Sequence, residues 1–209
     1  MKEIHINNLF PTPVMRVEKF IDAATSEQLV AEIRKQCQQT NAHSELLSHS
    51  EVIQPESSPH YAALGEQAAP YIRDFGFLLF GENLDWSIKE IWMNRLSTGG
   101  HQMMHTHANS FISGVVMLTD CDPSAHTLFH REMGGRQFIF SNTHAESAVT
   151  PYNAERWVAS DIQRGDLMLF PSYMLHAVPE NLGGERITIA FNALPGELKS
   201  WDYNVKFSC

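Results

Sequence analysis

Long apolar runs are missing from this sequence. No stretch approaches the roughly 20 residues that a membrane-spanning helix requires, so no membrane partner is expected. Cysteine is scarce: Cys37, Cys121 and Cys209 form no Cys-x-x-Cys pair, which excludes a thiolate zinc site and fits a reducing compartment. Positive charge is short as well. Fifteen Lys and Arg against 24 Asp and Glu leave a formal charge of −9, which argues against a nucleic-acid partner, since that would need a basic face. The opening Met1-Lys2-Glu3-Ile4-His5-Ile6 has no apolar core of a secretory signal, so a cytoplasmic location is expected. Internal repeats and low-complexity linkers are also lacking. A chain of 209 residues suits one domain, 1–209, and its 43% hydrophobic content predicts a packed core.

The N-terminal part, to about residue 85, reads as helical support. Leu9-Phe10-Pro11-Thr12-Pro13-Val14 suggests an edge strand or extended arm, because its prolines cannot join the middle of a ladder. Thr25 to Gln28 has the form of a capping box, followed by Leu29, Val30, Ile33 and Cys37 on one helical face. A second helix is expected from Ser58-Pro59, with Tyr61, Leu64, Ala68, Ile72 and Phe75 on its apolar side and Pro70 kinking or dividing it. From about residue 86 the pattern changes to strands rich in aromatic and β-branched residues: 86–96, 111–118, 136–140, 156–162, 167–170 and 186–192. Helices first and strands afterwards, with no alternation, argue against a doubly wound parallel sheet. The expected fold is mainly β, a sandwich or jelly roll buttressed by N-terminal helices.

What is abundant is histidine. Of eleven, seven lie between His101 and His176. In Met104-His105-Thr106-His107, an extended backbone would point His105 and His107 to the same face. Such a pair can hold a metal, although most His-x-His pairs are solvated or structural. Further on, Gly165-Asp166 delivers the apolar run Leu167 to Pro171, and a loop presents His176. Ten residues later, Arg186 and Thr188 alternate with Ile187 and Ile189, so a guanidinium and a hydroxyl share one face. A guanidinium pointing into a barrel needs an anion. That anion could be one of the chain's own carboxylates or a bound one. His126, His130 and His144 read as loop or strand-edge residues.

The His-x-His, the distant His and the Arg-x-Thr together resemble the iron- and 2-oxoglutarate-dependent oxygenases, whose fold is the double-stranded β-helix, a cupin-like jelly roll. More narrowly, the chain is similar to a family of short bacterial and phage 2-oxoglutarate oxygenases. The resemblance rests on Leu9 to Pro13, Trp92-Met93-Asn94, His105-Thr106-His107 leading to Ser113-Gly114-Val115, Gly165-Asp166-Leu167 to Pro171-Ser172, and Glu185-Arg186-Ile187 to Phe191-Asn192. It implies Fe(II) bound by His105 and His176. It also implies 2-oxoglutarate as co-substrate, its distal carboxylate held by Arg186 with Thr188 assisting. The implied reaction is hydroxylation of a small molecule or an amino-acid side chain.

One position departs from the pattern. The superfamily's carboxylate ligand stands two residues after its first His, and here that residue is His107. His107 is the preferred third ligand, because the distance to the following strand then matches. Asp120, Asp122 and Glu132 are alternative carboxylate sources, and a shifted register would put Asn109 in the carboxylate's place. Three neutral imidazoles also suit a cupin-like metalloenzyme that does not use 2-oxoglutarate. A catalytically silent binding module is the third option. The sequence leaves a homo-oligomer open.

Overall fold

The alternation read in the Arg186 strand runs through the whole core. The structure is a computed structural model and describes residues 3–36, 39–41, 44–50, 52, 58–131, 142 and 144–208. In chain order its elements are β1 (Met15–Val17), α1 (Ala23–Gln36), β2 (Gln39–Asn41), β3 (Ser44–His49), α2 (Pro59–Phe80), β4 (Trp86–Leu96), β5 (Gln102–His105) and β6 (Ile112–Met117). A short 3-10 turn over Pro123–Ala125 comes next. Then follow β7 (Leu128–His130), β8 (Arg156–Val158), β9 (Leu167–Pro171), β10 (His176–Val178), β11 (Arg186–Pro195), β12 (Glu197–Ser200) and β13 (Tyr203–Lys206). A seven-stranded sheet in the order β1-β9-β6-β11-β4-β3-β2 faces a four-stranded sheet, β5-β10-β7-β8. The strand pairings are antiparallel throughout, as a jelly roll requires.

The outer face of the large sheet is dry. Ile187, Ile189, Phe191 and Ala193 of β11 and Ile91 and Met93 of β4 pack against Leu29, Val30 and Ile33 of α1 and Tyr61, Leu64, Ile72 and Phe75 of α2. At about 25 cal/mol per Å² of buried apolar surface, this layer is the main source of stability. The opposite face of the same strands carries Arg186, Thr188, Ala190 and Asn192 from β11 and Glu90, Trp92, Asn94 and Leu96 from β4, and lines a cavity. One register thus separates core from cavity, and a slip of one residue would exchange them.

Several local expectations are corrected. Asp22, not Thr25, caps α1: the Thr25 N–H donates to Asp22 Oδ1 at 2.7 Å, and the helix is under way by Ala23. Ser26, inside the proposed box, is buried and donates to the Leu118 carbonyl at 2.8 Å. Helix α2 begins at Ser58-Pro59 as expected and ends at Gly81, whose φ of 71° supplies the left-handed cap. Pro70 does not divide α2, because it sits on the solvent side, where water can satisfy the carbonyl that its missing N–H frees. Residues 9–12 of the arm are exposed, Pro13 and Val14 are half-buried, and ladder pairing starts only at Met15. Arg16 and the backbone of Lys19 both bond the buried Asp166, which moors this arm to the Gly165-Asp166 turn. In the 156–162 segment only Arg156–Val158 pairs. Cys37 and the 136–140 strand lie outside the described residues.

Gly114 of β6 pairs opposite Phe191, and a Cβ added there would overlap the Phe191 ring. Gly114→Ala should therefore lower stability by about 1–3 kcal/mol through overpacking. Urea denaturation measures this as a reduced midpoint at constant slope. An unchanged midpoint would mean that the ring moves aside freely.

Candidate metal and co-substrate site

His105 ends β5 and His176 begins β10, and the two are direct cross-strand partners. Their ring centroids stand 4.2 Å apart. His107 lies just past β5, its N–H bonded to the Ser172 carbonyl at 3.0 Å, and its ring is 5.3 Å from His105 and 4.9 Å from His176. One ring nitrogen of each histidine falls within 4.8 Å of the other two, close enough to share an ion. The two-residue spacing and one cross-strand pair account for the convergence.

The remaining ring nitrogens are already engaged. His105 Nδ1 is 2.8 Å from the Met103 carbonyl and His176 Nδ1 is 2.9 Å from the Met174 carbonyl. A carbonyl only accepts, so both Nδ1 atoms must carry hydrogen and Nε2 keeps its lone pair. His107 Nδ1 lies 2.9 Å from Asn192 Oδ1 and 2.7 Å from Ser113 Oγ. Asn192 in turn donates from Nδ2 to Glu90 Oε1 at 2.7 Å, which turns its Oδ1 towards His107. Ser113 also donates to Asn192 Oδ1 at 2.8 Å and meets Ser172 at 2.8 Å. Trp92 and Phe170 wall the rings in with edge-on contacts.

Electrostatics keeps two of these rings neutral. Burial pushes His107 down to about 4, with the neighbouring His105 adding to the effect and the Asn192 hydrogen bond opposing it. Burial, and again His105, push His176 down to about 3. Neutral imidazole is the form that ligates metal.

Arg186 lies at another part of the same cavity, whose volume is about 460 Å³. Its side chain is 5% exposed. Nη2 donates to Thr127 Oγ1 at 3.2 Å and touches Met117 Sδ, while the buried Nε has no partner. No carboxylate pairs with it among the described residues. Burial lowers the pKa of the guanidinium, yet an arginine stays charged in a protein. Cys121 nearby is no counter-ion, because burial pushes its thiol up. A buried cation with an unmet donor, facing a cavity, fits a bound carboxylate. Thr188 lines the wall beside it.

The alternative carboxylates do not join the histidines. Asp122 Oδ1 caps the 3-10 turn through Ser124, and Asp120 lines a separate cleft with Glu27, Arg34 and Arg164. Asn109 takes a left-handed turn (φ 54°), is exposed and does not line the cavity, and Glu132 lies outside the described residues. His126, His130 and His144 are apart from the three-histidine cluster. Ser113, Ser172, Asn192 and Glu90 of this network have no role assigned from the sequence. Asn192 was in phase with Arg186 and Thr188 and could have been found by extending the alternation. Glu90 could not, because alternation continued from Trp86 and Ile88 points it at the helices.

Comparisons with known proteins bear on the family and the fold. Residues 90–192 match the family model "Putative 2OG-Fe(II) oxygenase", a span that contains His105, His107, His176, Arg186 and Thr188. No curated protein matches the sequence. Among solved structures, HygX from Streptomyces hygroscopicus with nickel and 2-oxoglutarate bound is similar at 15% identity and a TM-score of 0.65. The similarity covers 88% of this chain and 83% of that one. The epimerase SnoN from nogalamycin biosynthesis, described as non-heme and α-ketoglutarate-dependent, is 12% identical at a TM-score of 0.62, covering 89% and 80%. The viral collagen prolyl hydroxylase of Paramecium Bursaria Chlorella virus-1 is 11% identical at 0.53, covering 86% and 94%. At these identities the neighbours share the jelly-roll fold. The chain belongs to the 2OG-Fe(II) oxygenases. It is an enzyme of the class that depends on iron(II) and 2-oxoglutarate.

The depressed histidines make the metal-free protein acid-sensitive. Below their ordinary pKa of about 6.5 the unfolded chain takes up protons that folded His107 and His176 refuse, so stability rises with pH in this window. It is fully present above about pH 6.5 and is lost as pH falls towards about 4. Urea unfolding of chelator-treated protein at pH 7 and pH 4.5 should show this loss. His176→Asn should flatten the dependence, and an equal slope in that variant would contradict the assignment.

Proposed function

We propose that the chain is an Fe(II)- and 2-oxoglutarate-dependent dioxygenase in which His105, His107 and His176 hold the metal and Arg186, assisted by Thr188, binds the distal carboxylate of 2-oxoglutarate. The observation that carries the co-substrate reading is the buried, carboxylate-free guanidinium of Arg186 opening onto the cavity that the three histidines share. A three-histidine metalloenzyme without 2-oxoglutarate accounts for the absence of a carboxylate at position 107. It leaves Arg186 paying a desolvation penalty with no anion in return. Iron(II) with 2-oxoglutarate supplies oxidative decarboxylation coupled to oxidation of a C–H bond. The protein's part is orientation and exclusion of water. Carbonyls 103 and 174 and the Asn192 amide fix the imidazoles, Trp92 and Phe170 pack against His107 and His176, and Arg186 would hold the distal carboxylate of 2-oxoglutarate.

The substrate reading is a small molecule or an amino-acid side chain. HygX has been solved with hygromycin B bound and SnoN in complex with nogalamycin RO, so proteins of this fold bind small molecules, which supports the small-molecule reading. In the present chain His49, Asn94 and Gln102 add polar groups to the cavity wall, which suits a substrate that forms hydrogen bonds.

Anaerobic titration separates the parts of this reading. The wild type should bind one Fe(II) or Mn(II), and His105→Ala or His176→Ala should abolish that binding without unfolding the chain. Arg186→Leu should keep the metal and weaken 2-oxoglutarate binding by about 2–5 kcal/mol, as expected for losing one partner of a buried charge pair. Unchanged 2-oxoglutarate affinity in Arg186→Leu would remove the co-substrate assignment.

A further inference from the structure

We propose that Glu90 is the displaced carboxylate of the metal site, a positioning residue that delivers to His107, through Asn192, the negative charge and the fixed ring orientation that an acidic residue at position 107 would deliver directly. The inference rests on reading His105, His107 and His176 as metal ligands.

The first observation is a β-bulge. Along the β11–β4 ladder Asn192 pairs with Glu90, but Ala193 pairs with Ile88, so Lys89 is an extra residue. Before the bulge, Trp86 and Ile88 pack with the dry core. After it, that face belongs to Ile91 and Met93, and the even-numbered Glu90, Trp92 and Asn94 line the cavity. Without the bulge, unbroken alternation from Trp86 and Ile88 would point residue 90 at α1 and α2. The extra residue turns its carboxylate to the site instead, a known use of bulges beside active sites.

The second observation is directional. A carboxylate can only accept, so Glu90 Oε1 obliges Asn192 to present Nδ2 to it, at 2.7 Å. The Asn192 amide is thereby oriented with Oδ1 towards His107, 2.9 Å from Nδ1. Oδ1 also only accepts, so Nδ1 of His107 must be the N–H, and the lone pair is left on Nε2. The chain Glu90–Asn192–His107 is therefore a carboxylate-to-ligand relay with one amide inserted, and such outer partners set ligand basicity and metal affinity. His105 and His176 each rest on a backbone carbonyl, so among the three only His107 is linked to a charge. It is also the ring that stands where the family's pattern places a carboxylate. Lys89 Nζ, 3.0 Å from Glu90 Oε1, offsets part of that charge.

The test uses Co(II) binding and the Fe(III)/Fe(II) midpoint potential of the 209-residue chain without substrate. Glu90→Gln keeps an acceptor and the shape but removes the charge. It should weaken Co(II) binding about tenfold or more and move the potential to more positive values. His107→Asp places a charge on the metal directly. In that background most of the Glu90→Gln effect should vanish, as coupling between the two positions requires. Lys89→Gln should shift both quantities the opposite way, and it tests the same charge if Glu90→Gln does not fold. Unchanged affinity and potential in Glu90→Gln, or an equal loss with and without Asp at 107, would overturn the proposal. If the wild type itself binds no Co(II), the metal reading has failed, a result distinct from a wild type that binds beside a Glu90→Gln that binds as well.

Discussion

The rest of the structure depends on the two-faced register of β11, the strand between β4 and β6. Its odd-numbered side chains, Ile187, Ile189, Phe191 and Ala193, are locked into the layer beneath the helices. Burial of that face holds the other face in phase, so Arg186, Thr188, Ala190 and Asn192 open onto the cavity. Slipping one residue would bury a guanidinium among aliphatic groups and expose two isoleucines and a phenylalanine. The penalty would be several kcal/mol for the charge alone. The apolar core therefore acts at a distance on the chemistry, because it sets which residues can face the site. Gly114, opposite Phe191, is part of the same constraint, since the ring occupies the space a side chain there would need.

Against that rigid wall, the histidines are assembled from less regular pieces. His105 and His176 meet as partners across the β5–β10 ladder, which breaks register between His176 and Val178, while His107 sits beyond the end of β5. Their precision comes from hydrogen bonds more than from the ladder. Two Nδ1 atoms are tied to carbonyls two residues back along their own segments, and the third is tied across to β11 through Asn192. That last link joins the loosely held segment to the most firmly held strand. It also puts the co-substrate candidate Arg186 and the metal candidate His107 on one rigid frame, six residues apart on β11 at the level of Asn192.

Much of this was legible in the sequence, and the boundary has a physical basis. Period-two spacing is local, so His105 with His107 and Arg186 with Thr188 could be assigned to shared faces without coordinates. The two helices and the strands at 86–96, 111–118, 167–170 and 186–192 followed from composition and periodicity. The cap of α1 was misplaced by three residues because Asp22 and Thr25 both suit that position, and the choice depended on Ser26 being drawn inward to Leu118. The short strands β5, β7 and β10 carry too few residues for alternation to register. Glu90 was hidden for a stronger reason. Continuing the alternation from Trp86 and Ile88 puts it on the wrong face, and only the pairing of Ile88 with Ala193 reveals the bulge that reverses it.

The charge balance of the cavity shows why these features belong together. Three neutral imidazoles around a divalent ion leave its two positive charges uncompensated, and Arg186 adds a third. A dicarboxylate co-substrate brings two negative charges, one end suited to the metal and the other to the guanidinium. With Glu90 behind Asn192 the formal sum reaches zero, and Lys89, which offsets part of the Glu90 charge, leaves a small positive excess. Without a dianion the cavity would hold an excess of positive charge in a partly buried space, a state that is costly unless anions enter. The replacement of an acidic ligand by His107 thus fits binding of an anionic co-substrate and does not argue against it. It moves one negative charge outward by two hydrogen bonds, to a residue that a bulge had to turn around to reach the site.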